Sequence, residues 1–436
     1  MNKKILMIFC LSLISFYTTG QQLKNISLQE AISQAQLKNT QIKIAEQNKA
    51  ISTSQYQQSM AVFLPNVTVN NTVTATNSPL NTFGFKLLQQ TTTAADFNPA
   101  LLNSPDAITN FSTQIQVQQP LINIDGFHQR KAAKLAKTAS EYGLARTKDG
   151  IKLQVQTAYL KLQISYKALD VFKQALKTVN ANHKYVSDLY KQGLVQKSDV
   201  LNIEVYVASI KNQLQQTESM VKNASDQLTY LLGNTDKTTI LVPTDSLSLI
   251  KNISDSKLVL TAQRTDILAY KSQVDAQKQM LKASQSQFLP RANAFANYEW
   301  NTADFLGFTA NNYLVGLQLS WSVFNGGKYL NKIKQEKATL VKAQLGYKDY
   351  ITKTQLDFQK TKRQLEDALA NLHRSKLAVS QSAEALKITT NRYKQGLEKT
   401  TDLLNAQTQY QSKQLEYYQA ILMYNATYNY LKFLQQ

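Results

Sequence analysis

The chain has 436 residues, with 49 Lys and Arg against 29 Asp and Glu, a formal net charge of +20, three histidines and one cysteine. One cysteine leaves no disulfide framework or thiolate metal site, and lysines dispersed among Gln and Asn read as solvated helix surface, not the gathered positive face of a nucleic-acid binder. No glycine-rich phosphate loop, metal-spaced His/Cys set or nucleophile elbow occurs, so neither an enzyme nor a bound cofactor is expected.

Residues 1–20 open with Lys3 and Lys4, run through an apolar stretch from Ile5 to Tyr17 and close on Thr18, Thr19 and Gly20. This predicts a secretory signal cut after Gly20, too short to cross a bilayer, which takes about 20 apolar residues. Cys10 lies inside it, behind Ile8 and Phe9 where a lipid-anchor site has small residues, so the exported chain is expected to carry no thiol and a charge of +18.

A helix is expected over about 27–62, ended by Phe63-Leu64-Pro65, because proline cannot continue a helix and drives its predecessor to extended geometry. Residues 66–76 then alternate: Val67, Val69, Val73 and Ala75 share one face, and Thr68, Asn70, Thr72, Thr74 and Thr76 take the other. After a loop over residues 77–110, residues 111–119 set Phe111, Ile115 and Val117 against Ser112, Gln114, Gln116 and Gln118. Successive strand side chains point to opposite faces, so each segment has one apolar and one polar side.

A very long helix is predicted from about Phe127 to Tyr190, roughly 95 Å at the α-helical rise of 1.5 Å per residue. Gly193 ends it as a left-handed C-cap, and Ser198-Asp199 stands where an N-cap would satisfy the free amides of a return helix. Residues 233–256, with Gly233 and Pro243, form a linker with a short strand expected at Thr239–Val242.

The pattern then recurs. A helix over about 257–287 meets Phe288-Leu289-Pro290, followed by strands at 291–300 and 313–323. In the first, Ala292, Ala294, Ala296, Tyr298 and Trp300 oppose Arg291, Asn293, Asn297 and Glu299, with Phe295 the exception. In the second, Tyr313, Val315, Leu317, Leu319, Trp321 and Val323 oppose Gly316, Gln318, Ser320 and Ser322, with Leu314 the exception. A second long helix runs from about Lys328 to Tyr393, ends at Gly396, and Thr401-Asp402 begins the return.

The recurrence has a fixed offset of 203 residues through both long hairpins. Tyr190-Lys191-Gln192-Gly193-Leu194 becomes Tyr393-Lys394-Gln395-Gly396-Leu397; Asp199, Leu201 and Asn202 become Asp402, Leu404 and Asn405. The seam Val155, Leu162, Leu169, Leu176, His183, Tyr190 becomes Phe358, Leu365, Leu372, Val379, Leu386, Tyr393. Val200, Val207, Leu214, Val221 and Leu228 likewise become Leu403, Tyr410, Tyr417, Tyr424 and Leu431. The Phe-Leu-Pro tripeptides are 225 apart, and the excess of 22 equals the difference between hairpin loops of 34 and 12 residues. Two copies of one unit therefore organise the chain, 21–232 and 257–436, with strict seven-residue seams that impose left-handed supercoiling. His183 is read as seam filler, since His128, His183 and His373 are dispersed and make no ligand cluster.

Strand lengths near ten residues match the ~9–11 that cross a bilayer on a tilt, and the tryptophans and tyrosines near strand ends suit an interfacial belt. Uncharged Thr, Asn, Gln and Ser rows suit the wall of an aqueous lumen. Open edges are not tolerated in lipid, and the smallest outer-membrane barrels have about eight strands, so four strands per chain require oligomerisation. Three copies, giving twelve strands, are favoured over two, because an eight-strand barrel is filled by side chains.

The signal, the two Phe-Leu-Pro-led hairpins and the doubled Tyr-x-x-Gly-Leu turn followed by Asp-x-Leu resemble the outer membrane efflux protein family, of which TolC is the type. The likeness covers essentially the whole exported chain. It implies an α+β membrane protein: a homotrimer sharing one transmembrane β-barrel in outer-membrane lipid, with a long α-helical coiled-coil barrel in the periplasm. It further implies an export duct that passively conducts substrates, joined to a periplasmic membrane-fusion adaptor and an inner-membrane pump of RND or ABC type. Carried over by residue, Tyr190, Gly193, Leu194 and Asp199, with Tyr393, Gly396, Leu397 and Asp402, are the tips (about 190–198 and 393–401) that meet the adaptor and close the tunnel. Asp188 and Glu384 are candidate gate acids, although Asn391 and Ala181 stand in their places in the other copy. The alternative reading is a periplasmic coiled-coil adaptor or scaffold whose hairpins form a soluble sheet.

Overall fold

The computed structural model describes residues 22–234, 238–250, 261 and 263–436; the predicted signal and Cys10 lie outside them. In chain order the elements are β1 (Gln22–Ile26), α1 (Leu28–Lys38), α2 (Thr40–Gln58), β2 (Asn66–Thr76), α3 (Pro79–Leu88), α4 (Pro99–Asn103) and β3 (Ile108–Ile122). Then come α5 (Ile124–Lys191), α6 (Lys197–Leu231), β4 (Thr239–Pro243), α7 (Thr265–Ser286), β5 (Arg291–Thr302), β6 (Ala310–Ser320), α8 (Lys328–Lys394) and α9 (Thr400–Gln435).

The two long helices, the return helices, the strand at 239–243 and the four period-two strands stand close to where the sequence places them; the helix expected over 257–287 runs from Thr265 to Ser286, residues 235–237, 251–260 and 262 of that helix and the linker lie outside the described residues, and β1 is not among the expected elements. Three further differences stand out. The helix expected over 27–62 breaks at Asn39, whose Oδ1 accepts from Gln41 N at 2.9 Å and whose Nδ2 donates to Leu231 O at 2.8 Å. The region read as a loop over 77–110 holds α3, a 3₁₀ turn at Ala94–Phe97 and α4. The strand expected at 313–323 is shifted to 310–320, leaving Trp321 and Val323 beyond its end.

The chain divides into two compact units that cut across the two sequence copies. One draws on the chain through Glu46, on Gly143–Thr265 and on Ile351–Gln436. In it β1 and β4 pair in parallel, Gln22 with Thr239 through Ile26 with Pro243. Their core takes Ile26, Ile32 and Ile42 from the amino terminus, Ile151, Val155, Tyr159 and Leu162 from α5, Leu228 from α6 and Leu241 from β4. Each fully buried aliphatic side chain of this kind is worth roughly 1.5–3 kcal/mol. Asp245 ties the ends together, accepting from Leu28 N at 2.7 Å and Tyr159 OH at 2.9 Å.

The predicted seam supplies a second core in the same unit, where Phe358, Leu365 and Leu372 of α8 pack with Ile421, Tyr424 and Leu431 of α9. Thr354 and Thr361, each four positions before a seam residue, are also buried. The last carbonyls of α9 are held by arginines: Arg264 Nη1 donates to Leu434 O at 3.1 Å and Arg146 Nη1 to Phe433 O at 3.0 Å. Cations at a helix C-terminus both satisfy orphan acceptors and oppose the macrodipole.

The other unit, Gln47–Tyr142 with Asp266–Tyr350, contains an antiparallel sheet in the order β2-β3-β5-β6. Its register aligns the predicted faces across the sheet. Val67, Val117, Ala296 and Val315 form one row and Val69, Ile115, Tyr298 and Tyr313 the next. On the opposite side Asn70, Gln114, Glu299 and Asn312 line up, as do Thr72, Ser112, Asn301 and Ala310. Phe295, the aromatic exception on the polar side, is directly opposite Gly316, where an added Cβ would come within 2.8 Å of the ring. An ion pair joins sheet to helix: Asp125, buried in the first turn of α5, takes two contacts from the Arg291 guanidinium, at 2.5 and 3.2 Å.

Candidate functional site: two helical turns and a two-faced sheet

The two turns are built alike. Gly193 and Gly396 adopt φ of +74° and +77°, the left-handed conformation that glycine takes without a Cβ penalty. This lets the chain double back: Leu194 N donates to Leu189 O at 3.0 Å and Gly193 N to Tyr190 O at 2.9 Å. In the second turn Leu397 N donates to Arg392 O and Gly396 N to Tyr393 O, both at 3.0 Å. These paired bonds are the Schellman arrangement. Leu194 and Leu397 are left projecting, 67% and 60% exposed.

Asp199 and Asp402 do cap the return helices, but not from the N-cap position that the sequence suggests. The caps are Gln196 and Lys399, and each aspartate sits at the third helical residue. From there the carboxylate reaches back to accept from the cap amide, at 3.2 Å for Gln196 N and 3.4 Å for Lys399 N. An acidic group in the first turn also opposes the positive helix end.

Beneath the turns lies a core made of Ala175, Val179 and Val186 from α5, Ile203 and Ile210 from α6, Tyr393 from α8 and Leu403 and Leu404 from α9. Here the copies part company. Tyr393 is buried, hydrogen-bonded through its hydroxyl to Thr400 Oγ1 at 3.1 Å and edge-on to the Tyr185 ring at 6.1 Å. Burial raises its hydroxyl pKa above the ordinary tyrosine value. Tyr190, its counterpart, is exposed, and Lys197 replaces Thr400. The second turn is further clipped by Arg392 Nε donating to Glu398 Oε1 at 2.7 Å, whereas the first has Leu189 and Val195 at those places. Tyr185, Arg392 and Glu398 were not singled out from sequence, although comparing the halves at the 203-residue offset exposes this swap of an apolar pair for an ion pair.

The candidate gate acids are exposed and locally neutralised. Asp188 lies 3.5 Å from Lys191, and Glu384 lies 3.6 Å from Lys387. His183 is packed only in part: its side chain is partly exposed, while its buried Nε2 lies 3.5 Å from Glu204 on α6.

The sheet is the second candidate surface. Val67, Val69 and Val73 on β2 and Tyr313, Val315, Leu317 and Leu319 on β6 are all well exposed in the single chain. Among the described residues both edge strands lack a partner on their outer side. Aromatic residues mark each end of the strands, with Phe63, Phe127, Phe288 and Trp321 at one end and Trp300, Phe305 and Phe308 at the other. Among the described residues no helix is long and apolar enough to cross a membrane, and no group of three His, Cys, Asp or Glu could hold a metal ion.

Comparison with known proteins bears on this arrangement. The profile of the outer membrane efflux protein family matches residues 31–234 and 259–434. The chain is 20% identical over 331 residues to the alkaline protease secretion protein AprF of Pseudomonas aeruginosa, covering 73% of this chain and 67% of that protein. Its fold matches the Campylobacter jejuni CmeC outer membrane channel with a TM-score of 0.80 at 15% identity, over 93% of this chain and 85% of that one. It also matches the outer membrane protein VceC of Vibrio cholerae, with a TM-score of 0.76 at 18% identity, over 94% and 96% of the two chains.

Proposed function

Because this chain belongs to the outer membrane efflux protein family and so resides in the outer membrane, we propose that it is the export duct of a tripartite efflux or type I secretion system. Three copies pair the free edges of β2 and β6 into one twelve-stranded barrel. The observation that carries this is the sheet itself: four strands in register, one face apolar and exposed, the other mostly polar and interrupted at Phe295 and Leu314, with both edges open among the described residues. Lipid accepts the apolar face but not the open edges, since an unpaired backbone group in hydrocarbon costs several kcal/mol. Closure by identical copies removes every edge at once.

In this reading each sequence copy (21–232 and 257–436, linked by 233–256) contributes one strand hairpin to the barrel and one helical hairpin to a periplasmic tunnel. The turns at 190–198 and 393–401 are the ends that meet a membrane-fusion adaptor, with Leu194 and Leu397 offered as apolar contacts. Asp188 and Glu384 contribute to the resting gate. Conduction is passive, and energy comes from an inner-membrane pump. The likeness to a protease secretion protein supports a protein cargo.

The test is the mass of the detergent-solubilised protein by light scattering with the detergent subtracted, followed by conductance in planar bilayers. Three chains per belt and discrete channels are expected. A soluble, detergent-free single chain would overturn the duct and favour the periplasmic scaffold. For the gate, Asp188→Ala with Glu384→Ala is expected to change conductance and cation preference; unchanged values would remove the two acids from it.

A further inference from the structure

The segment between β2 and β3 is a folded element laid on the polar face of the sheet. Helix α3 touches β3, β5 and β6. Gln89, at its end, donates through Nε2 to Thr109 O and to Asn110 Oδ1, both at 2.9 Å, and Asn110 Nδ2 passes the chain on to Asn301 Oδ1 at 2.8 Å. Asn110, Asn301 and Ala310 all belong to the polar rows, yet they are 3%, 0% and 1% exposed. The remainder of the segment is pinned to α3 by Lys86 and Asp96, 2.6 Å apart, and by the edge-on rings of Phe83 and Phe97. That contact with Lys86, together with the Thr93 amide and hydroxyl, holds the Asp96 carboxyl down at about 2.

The helix has two faces. Thr82 and Gln89 are buried toward the sheet. Leu80, Gly84 and Leu87, spaced one turn apart, form the face turned away, with Leu80 and Leu87 at 81% and 51% exposure and open space around Gly84. A glycine inside a helix costs about 1 kcal/mol relative to alanine. Two leucines flanking a glycine make a shallow notch that admits another helix closely.

We propose that the α3 helices of three copies meet over the barrel axis through Leu80, Gly84 and Leu87, and close the outer mouth of the duct. This rests on the shared-barrel reading above. The dimensions favour it. Twelve strands about 4.8 Å apart, tilted at roughly 40°, put their backbones on a ring about 24 Å across, and the inward side chains leave less than that clear. A helix with its side chains is about 10–12 Å wide, and three such cylinders packed around an axis need roughly 22–26 Å. Helices seated on the inner wall at the rim therefore cannot avoid one another. The seal is reversible in kind: on the sheet side it is a few neutral hydrogen bonds, each worth about 1 kcal/mol net. Asn301 Nδ2 beneath it is buried without a hydrogen-bond partner.

The test places a cysteine at Leu80→Cys or Leu87→Cys in the full-length chain and oxidises the detergent-solubilised protein with copper phenanthroline. Disulfide formation requires Cα atoms within about 7 Å. A chain-to-chain disulfide on a denaturing gel is expected for at least one variant, with the third copy left uncrosslinked. The unsubstituted chain, whose only cysteine is Cys10, should stay single. Three chains by mass with no cross-link at either position overturns the mouth seal while leaving the shared barrel standing. One chain by mass overturns the barrel, and the seal with it.

Discussion

Tyr393 and Thr400 share a hydrogen bond of 3.1 Å across the second turn, whereas Tyr190, the same residue one copy earlier, faces solvent with a lysine in the threonine's place. Tyr393→Phe strands the Thr400 hydroxyl, which is 2% exposed, and should cost about 1–2 kcal/mol. Tyr190→Phe should stay within about 0.5 kcal/mol. Thermal denaturation of the two variants in detergent checks the difference, and equal losses would show that the bond carries no weight.

At Gly193 and Gly396 an added Cβ meets nothing within 4 Å, so alanine there pays only for the left-handed backbone. Each substitution is expected to cost about 1 kcal/mol, and Asn less than Ala, because asparagine tolerates that conformation. Hydrogen exchange at the Leu194 and Leu397 amides, which close the two turns, should speed up in step with the loss.

Burial, more than any other cause, pushes the hydroxyls of Tyr159 and Tyr430 up to about 12 from the usual 10.0. The folded state thus prefers the neutral phenol. The stability this represents is complete below pH 10 and is lost as pH rises from there through about 12. Ultraviolet titration should show a late group of tyrosinates appearing together with unfolding. Tyr159→Phe, which also removes the bond to Asp245, should shrink that late group; an unchanged titration would place Tyr159 among the ordinary tyrosines.

Asp125 is 4% exposed and its charge is met by Arg291. Asp125→Asn should cost about 2–3 kcal/mol, less than for a fully enclosed pair because the arginine is partly in water. Adding Arg291→Met should restore part of the loss. Strictly additive effects in this double-mutant cycle would mean that the two residues act independently.

The alternation of Val with Thr and Asn, or of Ile with Gln, made the four strands legible, because it gives each strand one apolar and one polar side. Long seams made α5 and α8 legible to within three residues at each end. β1 left no such mark: of Gln22-Leu23-Lys24-Asn25-Ile26 only Ile26 is buried, and its partner strand lies far along the chain. The helices at Pro79–Leu88 and Pro99–Asn103 are short and held by contacts with other parts of the chain, which local periodicity does not report. At the turns, Ser198 and Thr401 are better N-cap formers than Gln196 or Lys399, yet the aspartate reach-back moved each helix start earlier.

The parallel pairing of β1 with β4 joins positions 217 residues apart. Because a chain is made from its amino terminus, Gln22–Ile26 exists long before Thr239–Pro243, and closing so large a loop is slow. Until then Ile26, Ile32 and Ile42 have no finished pocket to enter. The amino-terminal core therefore waits on Leu241, and a defect at Thr239–Pro243 is felt more than two hundred residues earlier, at Ile26.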